Sequence, residues 1–382
     1  MMFHQSQFIK VFLVLIVTGL IFSHSSAQNS LRVELKTKPG THLQDSLYIA
    51  GSFNGWDPGQ NAIAFQTSAS GVQFAEVKGI PAGIIEFKIT RGSWSSVETA
   101  TNGTAIGNRI LQINSDTVIS IKIEAWADDF PGRPPVSTRS KNVFVIDSSF
   151  SIPQLNRKRR IWVYLPEGYA FSKRKYPVLY MHDGQNLFDV QTSSYGEWGV
   201  DEMMDSIRQG RQCIVVGIDH GDTKRLTEYN PYTSRFGTGE GDAYVDFLVN
   251  TLKPYIDKTF RTKPLKESTF IAGSSMGGLI SLYAVLKYPS TFGGAGIFSP
   301  AFWIAPELKE KIDSSANINS AIYFVCGEKE GDQMVGDMKL IYDQLKKKGM
   351  AKLYYRQVKE GMHNESFWRR EMYDFYKWVY PY

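Results

Sequence analysis

The sequence predicts a mainly parallel β-sheet covered by helices, preceded by a small all-β sandwich. Three observations carry that expectation. From about Asn142 onward, short apolar runs alternate with amphipathic stretches, the pattern of a sheet buried on both faces. Before about Asp128, short β-forming runs are punctuated by Gly, Pro and Asn, and no amphipathic helix interrupts them. Within the second region, Phe270-Ile271-Ala272-Gly273-Ser274-Ser275-Met276-Gly277-Gly278-Leu279 passes from a strand through Gly-x-Ser-x-Gly into a helix.

Taken in order, residues 1–27 read as a signal peptide. Lys10 precedes an apolar stretch too short to span a bilayer comfortably, and Ser25-Ser26-Ala27 offers the small residues a signal peptidase reads. The expected mature chain starts near Gln28 and works in the periplasm or outside the cell, with no membrane partner after cleavage. Residues 28–129 are expected to form an immunoglobulin-like sandwich, with strands near 46–50, 72–77, 84–89 and 118–123. Pro131-Gly132-Arg133-Pro134-Pro135 to Ser140 reads as a linker, 130–141. The second region, 142–382, is expected to place strands near 161–165, 177–181, 213–218, 269–272, 322–326 and 353–358. A helix near 332–347 carries Met334, Met338, Ile341 and Leu345 on one face. Gly-x-Ser-x-Gly within such a sheet points to the α/β-hydrolase fold. Gly273 and Gly277 are required where strand and helix cross closely.

Composition narrows the function. The chain has 43 basic and 38 acidic side chains, a net charge of +5 that implies no nucleic-acid or other polyanionic partner. The basic run Arg157-Lys158-Arg159-Arg160 reads as a solvated strand edge. Cys213 and Cys326 each sit in an apolar run and read as buried free thiols. No Cys or His cluster has metal-ligand spacing, so neither metal nor cofactor is expected.

A serine hydroxyl needs a base, usually a histidine oriented by a carboxylate. In this fold the chain order is Ser, acid, His. Beyond residue 27 the histidines are His42, His182, His220 and His363, and only His363 follows Ser275. The acid is sought after the strand at 322–326, where Glu328, Glu330 and Asp332 are available. Glu330 is preferred and Asp332 is the alternative, since Asp332 also suits a helix N-cap. The oxyanion donors are expected to be the N–H of Met276 and that of Gln185, with Gly184 as alternative.

With those residues in place, the chain resembles the esterase D group, which holds enterochelin esterases, family-one carbohydrate esterases acting on feruloyl and acetyl xylan esters, and mycolyltransferases. The resemblance rests on 160–169, His182-Asp183-Gly184-Gln185-Asn186-Leu187-Phe188, Gly273 to Gly278 and Gly361-Met362-His363, and spans about 142–382. It implies Ser275 as nucleophile, His363 as base and Glu330 as acid, where feruloyl esterases of the group usually carry Asp. Asp183-Gly184-Gln185 matches the oxyanion loop of the mycolyltransferases. The N-terminal region resembles glycogen- and starch-binding modules, on the residues Leu47 to Asp57 and Phe87 to Trp94. That resemblance implies a glycan site at Trp56, Trp94 and Asn108, because a pyranose face stacks on an aromatic ring.

The combined reading is an exported serine esterase acting through an acyl-enzyme on acyl or feruloyl esters of a polysaccharide, with an α-glucan or other polysaccharide as partner of the N-terminal module. A siderophore triester hydrolase and a sugar acyltransferase are the alternatives. A non-catalytic glycan-binding protein is disfavoured by the intact Ser, acid and His. Trp198, Arg225 and Trp303 are expected to line the substrate cleft.

Overall fold

Runs of Val, Ile, Leu, Phe and Tyr make an eight-stranded sheet the centre of the computed structural model. The structure describes residues 29–54, 56–104, 106–130, 136–193, 196–315, 318–350 and 352–380. The expected signal peptide and residues 131–135 of the expected linker lie outside the described residues. The eight strands are β1 (Val143–Ile152), β2 (Arg157–Tyr164), β3 (Val178–His182), β4 (Ile214–Ile218), β5 (Thr269–Ser274), β6 (Gly294–Phe298), β7 (Ala321–Gly327) and β8 (Leu353–Val358). Their spatial order is β1-β2-β4-β3-β5-β6-β7-β8. β1/β2 and β2/β4 pair antiparallel, and every later pair is parallel.

β3 to β7 are buried along their whole length, as central strands covered on both faces must be. The helices α1 (Val200–Ser206), α2 (Met276–Lys287), α3 (Asp332–Lys347) and α4 (Glu365–Val379) pack around this sheet. α3 buries Met338, Ile341 and Leu345 at helical spacing. Two core clusters result, one on each face: Val163, Tyr180, Leu279 and Phe324 belong to one, and Trp162, Leu179, Phe298 and Phe375 to the other.

Two strands of this sheet stand outside the expected set. β6 is Gly-Ala-Gly-Ile-Phe, poor in β-formers, because a Cβ on Gly296 would stand 2.8 Å from the Phe375 ring of α4. β1 is half polar, as an edge strand that faces water can be. The basic run is not a solvated edge. Arg157 pairs with Glu228 and Glu240 at 2.6 Å each, Arg159 with Glu228, and Arg160 with Asp219 at 2.8 Å. Glu228 is fully buried, and these guanidinium groups supply the charged partners a buried carboxylate requires. Only Lys158 is exposed. Cys213 and Cys326 are buried free thiols.

The N-terminal strands form a four-stranded sheet (66–67, Gln73–Ile80, Asn29–Thr37, Thr117–Lys122) and a three-stranded one (Tyr48–Gly51, Gly83–Thr90, Arg109–Ile113). Leu31, Val33, Ile49, Phe87 and Ile89 fill the space between them with Trp126. Alternation sends Ile85, Phe87 and Ile89 inward, and Ile84, Glu86 and Lys88 outward. That outward face meets the eight-stranded unit. Ile84 Cδ1 lies 3.0 Å from where a Cβ on Gly331 would stand, and Arg235 Nη2 donates to Ser52 O at 3.0 Å. Among the described residues, no helix is long and apolar enough to cross a membrane.

Candidate active site

Ser275 occupies the turn between β5 and α2 at φ 57°, ψ −119°. A non-glycine residue there costs about 1–3 kcal/mol, so the surroundings must hold it. Ser275 N–H donates to Phe298 O at 2.9 Å, and Ala301 N–H donates to Ser275 O at 3.1 Å. The flanking glycines are required by contact: a Cβ on Gly273 would sit 2.8 Å from the Gly277 carbonyl carbon and 2.9 Å from His182 Cδ2.

After β7, the 3-10 turn Glu328–Glu330 buries Glu330, while Gly331 takes φ +92° and Asp332 emerges exposed as the first residue of α3. Gly331, not Asp332, is therefore the N-cap. Glu330 Oε1 accepts from Gly327 N–H and Ser299 Oγ, both at 2.7 Å, and Oε2 lies 2.7 Å from His363 Nδ1. His363 sits in the loop between β8 and α4. That loop is seated beside Glu330 by Lys329 N–H, which donates to Gly361 O at 3.1 Å. Burial opposes the charged imidazolium, but the Glu330 hydrogen bond and charge, then Glu86 and Glu365, outweigh it and hold His363 above the usual histidine range.

Three residues around this pair were not anticipated from sequence. Ser299 Oγ also accepts from Trp368 Nε1 at 2.8 Å, and the Trp368 ring stands edge-on to His363 with centroids 5.0 Å apart. Glu365, 6% exposed, is pushed up to about 7 by burial. Ser299 and Trp368 carry no local motif, because each matters through a partner distant in sequence, Glu330 for Ser299 and Ser299 for Trp368.

The loop after β3 is built as tightly. Asp183 takes φ 56°, and Gly184–Asn186 forms a single 3-10 turn. A Cβ on Gly184 would stand 2.8 Å from the β4 backbone at Gly217 and Ile218, so the turn lies flat on that strand. Asp183 accepts a bidentate pair from Arg225, Nε to Oδ1 at 2.7 Å and Nη2 to Oδ2 at 2.8 Å. Burial would raise the Asp183 carboxyl, but Arg225 outweighs it and holds it below the usual range. His182, beneath the elbow, lies 2.9 Å from Tyr244 Oη through Nδ1 and is pushed down to about 4 by burial, hence neutral. Gln185 and Met276 each occupy the first turn of a helical segment, where backbone N–H groups lack intrahelical partners.

The expected cleft-lining residues divide. Arg225 is committed to Asp183 and to the Tyr229 ring, 5.2 Å away. Trp198 is 3% exposed and packs between Phe298 and Trp368, with too little free surface to line a cleft. Trp303 is half-buried beneath the Arg235 guanidinium. In the N-terminal sheets, the half-buried Trp56 and Trp94 rings lie 6.3 Å apart at 39°, outside the sandwich core. Asn108 Nδ2 donates to Glu86 Oε2 at 2.7 Å.

A serine on a strained turn after the fifth strand and a histidine after the last, on a sheet of this order, define an α/β-hydrolase. Residues 152–378 match the family described as "Putative esterase", and the chain belongs to that esterase family. It is 28% identical over 243 residues to "Uncharacterized protein YbbA" of Bacillus subtilis, covering 58% of this chain and 92% of that one. It is 30% identical over 177 residues to an endo-1,4-beta-xylanase/feruloyl esterase of Xylanibacter ruminicola, 45% of this chain and 23% of that one. Its fold is similar to that of the enterochelin esterase from Shigella flexneri, with a TM-score of 0.53 and 17% identity over 88% of each chain.

Proposed function

We propose that the protein is a serine carboxylic-ester hydrolase working through an acyl-enzyme. His363 Nε2 takes the Ser275 proton as Oγ attacks the ester carbonyl. The N–H groups of Met276 and Gln185 receive the oxyanion, the alcohol leaves with the proton from His363, and water repeats the sequence to free the acid. The observation that carries this reading is the 2.7 Å contact between His363 Nδ1 and Glu330 Oε2, which leaves Nε2 for the serine.

For the substrate, an acyl or feruloyl ester on a polysaccharide is favoured. The xylanase/feruloyl esterase relative supports it, as does the half-buried Trp56–Trp94 pair on a module that touches the hydrolase. The fold likeness to an enterochelin esterase over most of the chain supports a siderophore triester as second reading. Glu86 weighs against it, because a tris-catecholate ferric complex is strongly anionic and the Glu86 charge felt at His363 would repel it. The working site is taken to be outside the cytoplasm, after removal of residues 1–27. Turnover of p-nitrophenyl acetate tests the chemistry. A screen of feruloylated arabinoxylan, acetylated xylan and ferric enterobactin tests the substrate, with the first two expected to react faster. A preference for ferric enterobactin would reverse the order of the two readings.

A further inference from the structure

Glu197, Asp201 and Glu202, where the chain enters α1, form a carboxylate cluster that the esterase chemistry does not use. One oxygen from each lies within 4.8 Å of the others. Asp201 is fully buried and Glu197 is 9% exposed. Asp201 Oδ1, Glu197 Oε1 and Glu202 Oε2 are buried and receive no N–H or hydroxyl donor, while the Asp201 and Glu202 carboxyls lie close enough to share a proton. Their companion oxygens are engaged: Thr138 Oγ1 donates to Glu197 Oε2 at 2.8 Å, and Ser140 N–H to Asp201 Oδ2 at 2.7 Å. Arg369 stops 4.0 Å from Glu197 Oε2 and 3.8 Å from Glu202 Oε1, approaching the companion oxygens beyond hydrogen-bond range. A buried carboxylate oxygen with no such donor is costly, and here two side chains at least nine-tenths buried present one each.

We propose that Glu197, Asp201 and Glu202 bind a divalent cation, with calcium as the metal that fits. The donors are all hard oxygens, which selects calcium or magnesium over zinc or copper. Ligands 2.3–2.6 Å from a shared calcium stand up to about 5 Å apart, which accommodates this cluster. Glu202 is the half-exposed member, so water has access to complete the coordination. The ion would tie the segment carrying Thr138 and Ser140 to the loop before α1. Trp198 lies in that loop and packs on Trp368, which stands against His363, so the ion would brace the wall behind the base.

A proton shared by Asp201 and Glu202 is the competing occupant, since burial and then the hydrogen bond and charge of Glu202 push the Asp201 carboxyl up to about 8. The test separates the two. Full-length protein is stripped with EDTA, desalted, and titrated with calcium chloride and with magnesium chloride by calorimetry at neutral pH, with Tm read in parallel. The proposal expects one saturable calcium site, a Tm rise of several degrees at about 100-fold excess over Kd, and weaker magnesium binding. Asp201→Asn and Glu197→Gln are each expected to raise Kd by about tenfold or more. Both replacements are nearly isosteric, and either one that unfolds cooperatively suffices. A wild-type Tm indifferent to millimolar calcium but responsive to pH would assign the site to a proton and overturn the proposal. Undiminished calcium binding in the folded variants would overturn it as well.

Discussion

Ser275 is held at an unfavourable backbone conformation by main-chain bonds to Phe298 and Ala301, none of which uses its hydroxyl. Ser275→Ala is therefore expected to leave Tm unchanged while kcat falls on the order of 10⁴-fold, read on p-nitrophenyl acetate. Most activity surviving would sink the nucleophile assignment. Glu330→Gln should cost on the order of 10³-fold in kcat, because an amide can favour the wrong imidazole tautomer and does not stabilise the imidazolium. Asp332→Asn, at an exposed position, should cost no more than about twofold; the reverse ranking would move the acid. The pH profile follows from the same contact. His363 must be neutral to act, and its pKa is raised, so kcat/KM should fall as pH drops through a value above the ordinary histidine pKa of about 6.5. In Glu330→Gln, burial acts without that carboxylate, and the acid limb should move to lower pH. Sequence presented Glu328, Glu330 and Asp332 within five residues. Which of them turns inward is decided by the 3-10 turn and the left-handed Gly331, geometry that residue identity alone does not specify.

At the scale of elements, six of the eight strands of the large sheet and the Ser275 turn were legible because their signals are local: apolar runs, Gly-x-Ser-x-Gly, then a helical period. The loop after β3 was legible only as a place. Its shape depends on Arg225, 42 residues further along, and on the bare β4 backbone at Gly217. Arg225 was expected in the cleft because an arginine in a loop shows charge but not its partner. Arg225→Gln should leave Asp183 buried and unpaired and let the turn shift. We expect kcat to fall by about 10²-fold with a smaller change in KM, since oxyanion donors act on the transition state. A rise in KM at constant kcat would instead return Arg225 to substrate contact.

Across the whole molecule, the outward face of the strand Gly83–Thr90 joins the N-terminal sheets to the hydrolase beside Glu330 and His363. Glu86 helps to hold His363 in its charged form. Glu86→Gln should therefore shift the acid limb of kcat/KM to lower pH, by less than Glu330→Gln does, with kcat on the plateau nearly unchanged. An unmoved limb would separate the module from the chemistry. Trp56→Ala with Trp94→Ala should release the protein from an insoluble or branched glucan column while small-ester turnover persists, two stacked rings contributing roughly 1–3 kcal/mol. Loss of turnover in the folded double variant would make the pair part of the site wall instead.

Sequence by itself determined the two kinds of secondary structure, six of the eight strands of the large sheet, and the family motifs around Ser275 and His363. These depend on periodicity and on residues close together along the chain. Tertiary structure alone decided which carboxylate meets His363, and it spent Arg225 on Asp183 and Trp198 on the core. It also neutralised Glu228 with a basic run that read as solvated, and brought Glu86 near the candidate base. Each of these is a pairing between segments far apart in sequence. A buried charge or ring must find a partner in space, and only the packed fold determines which one is within reach.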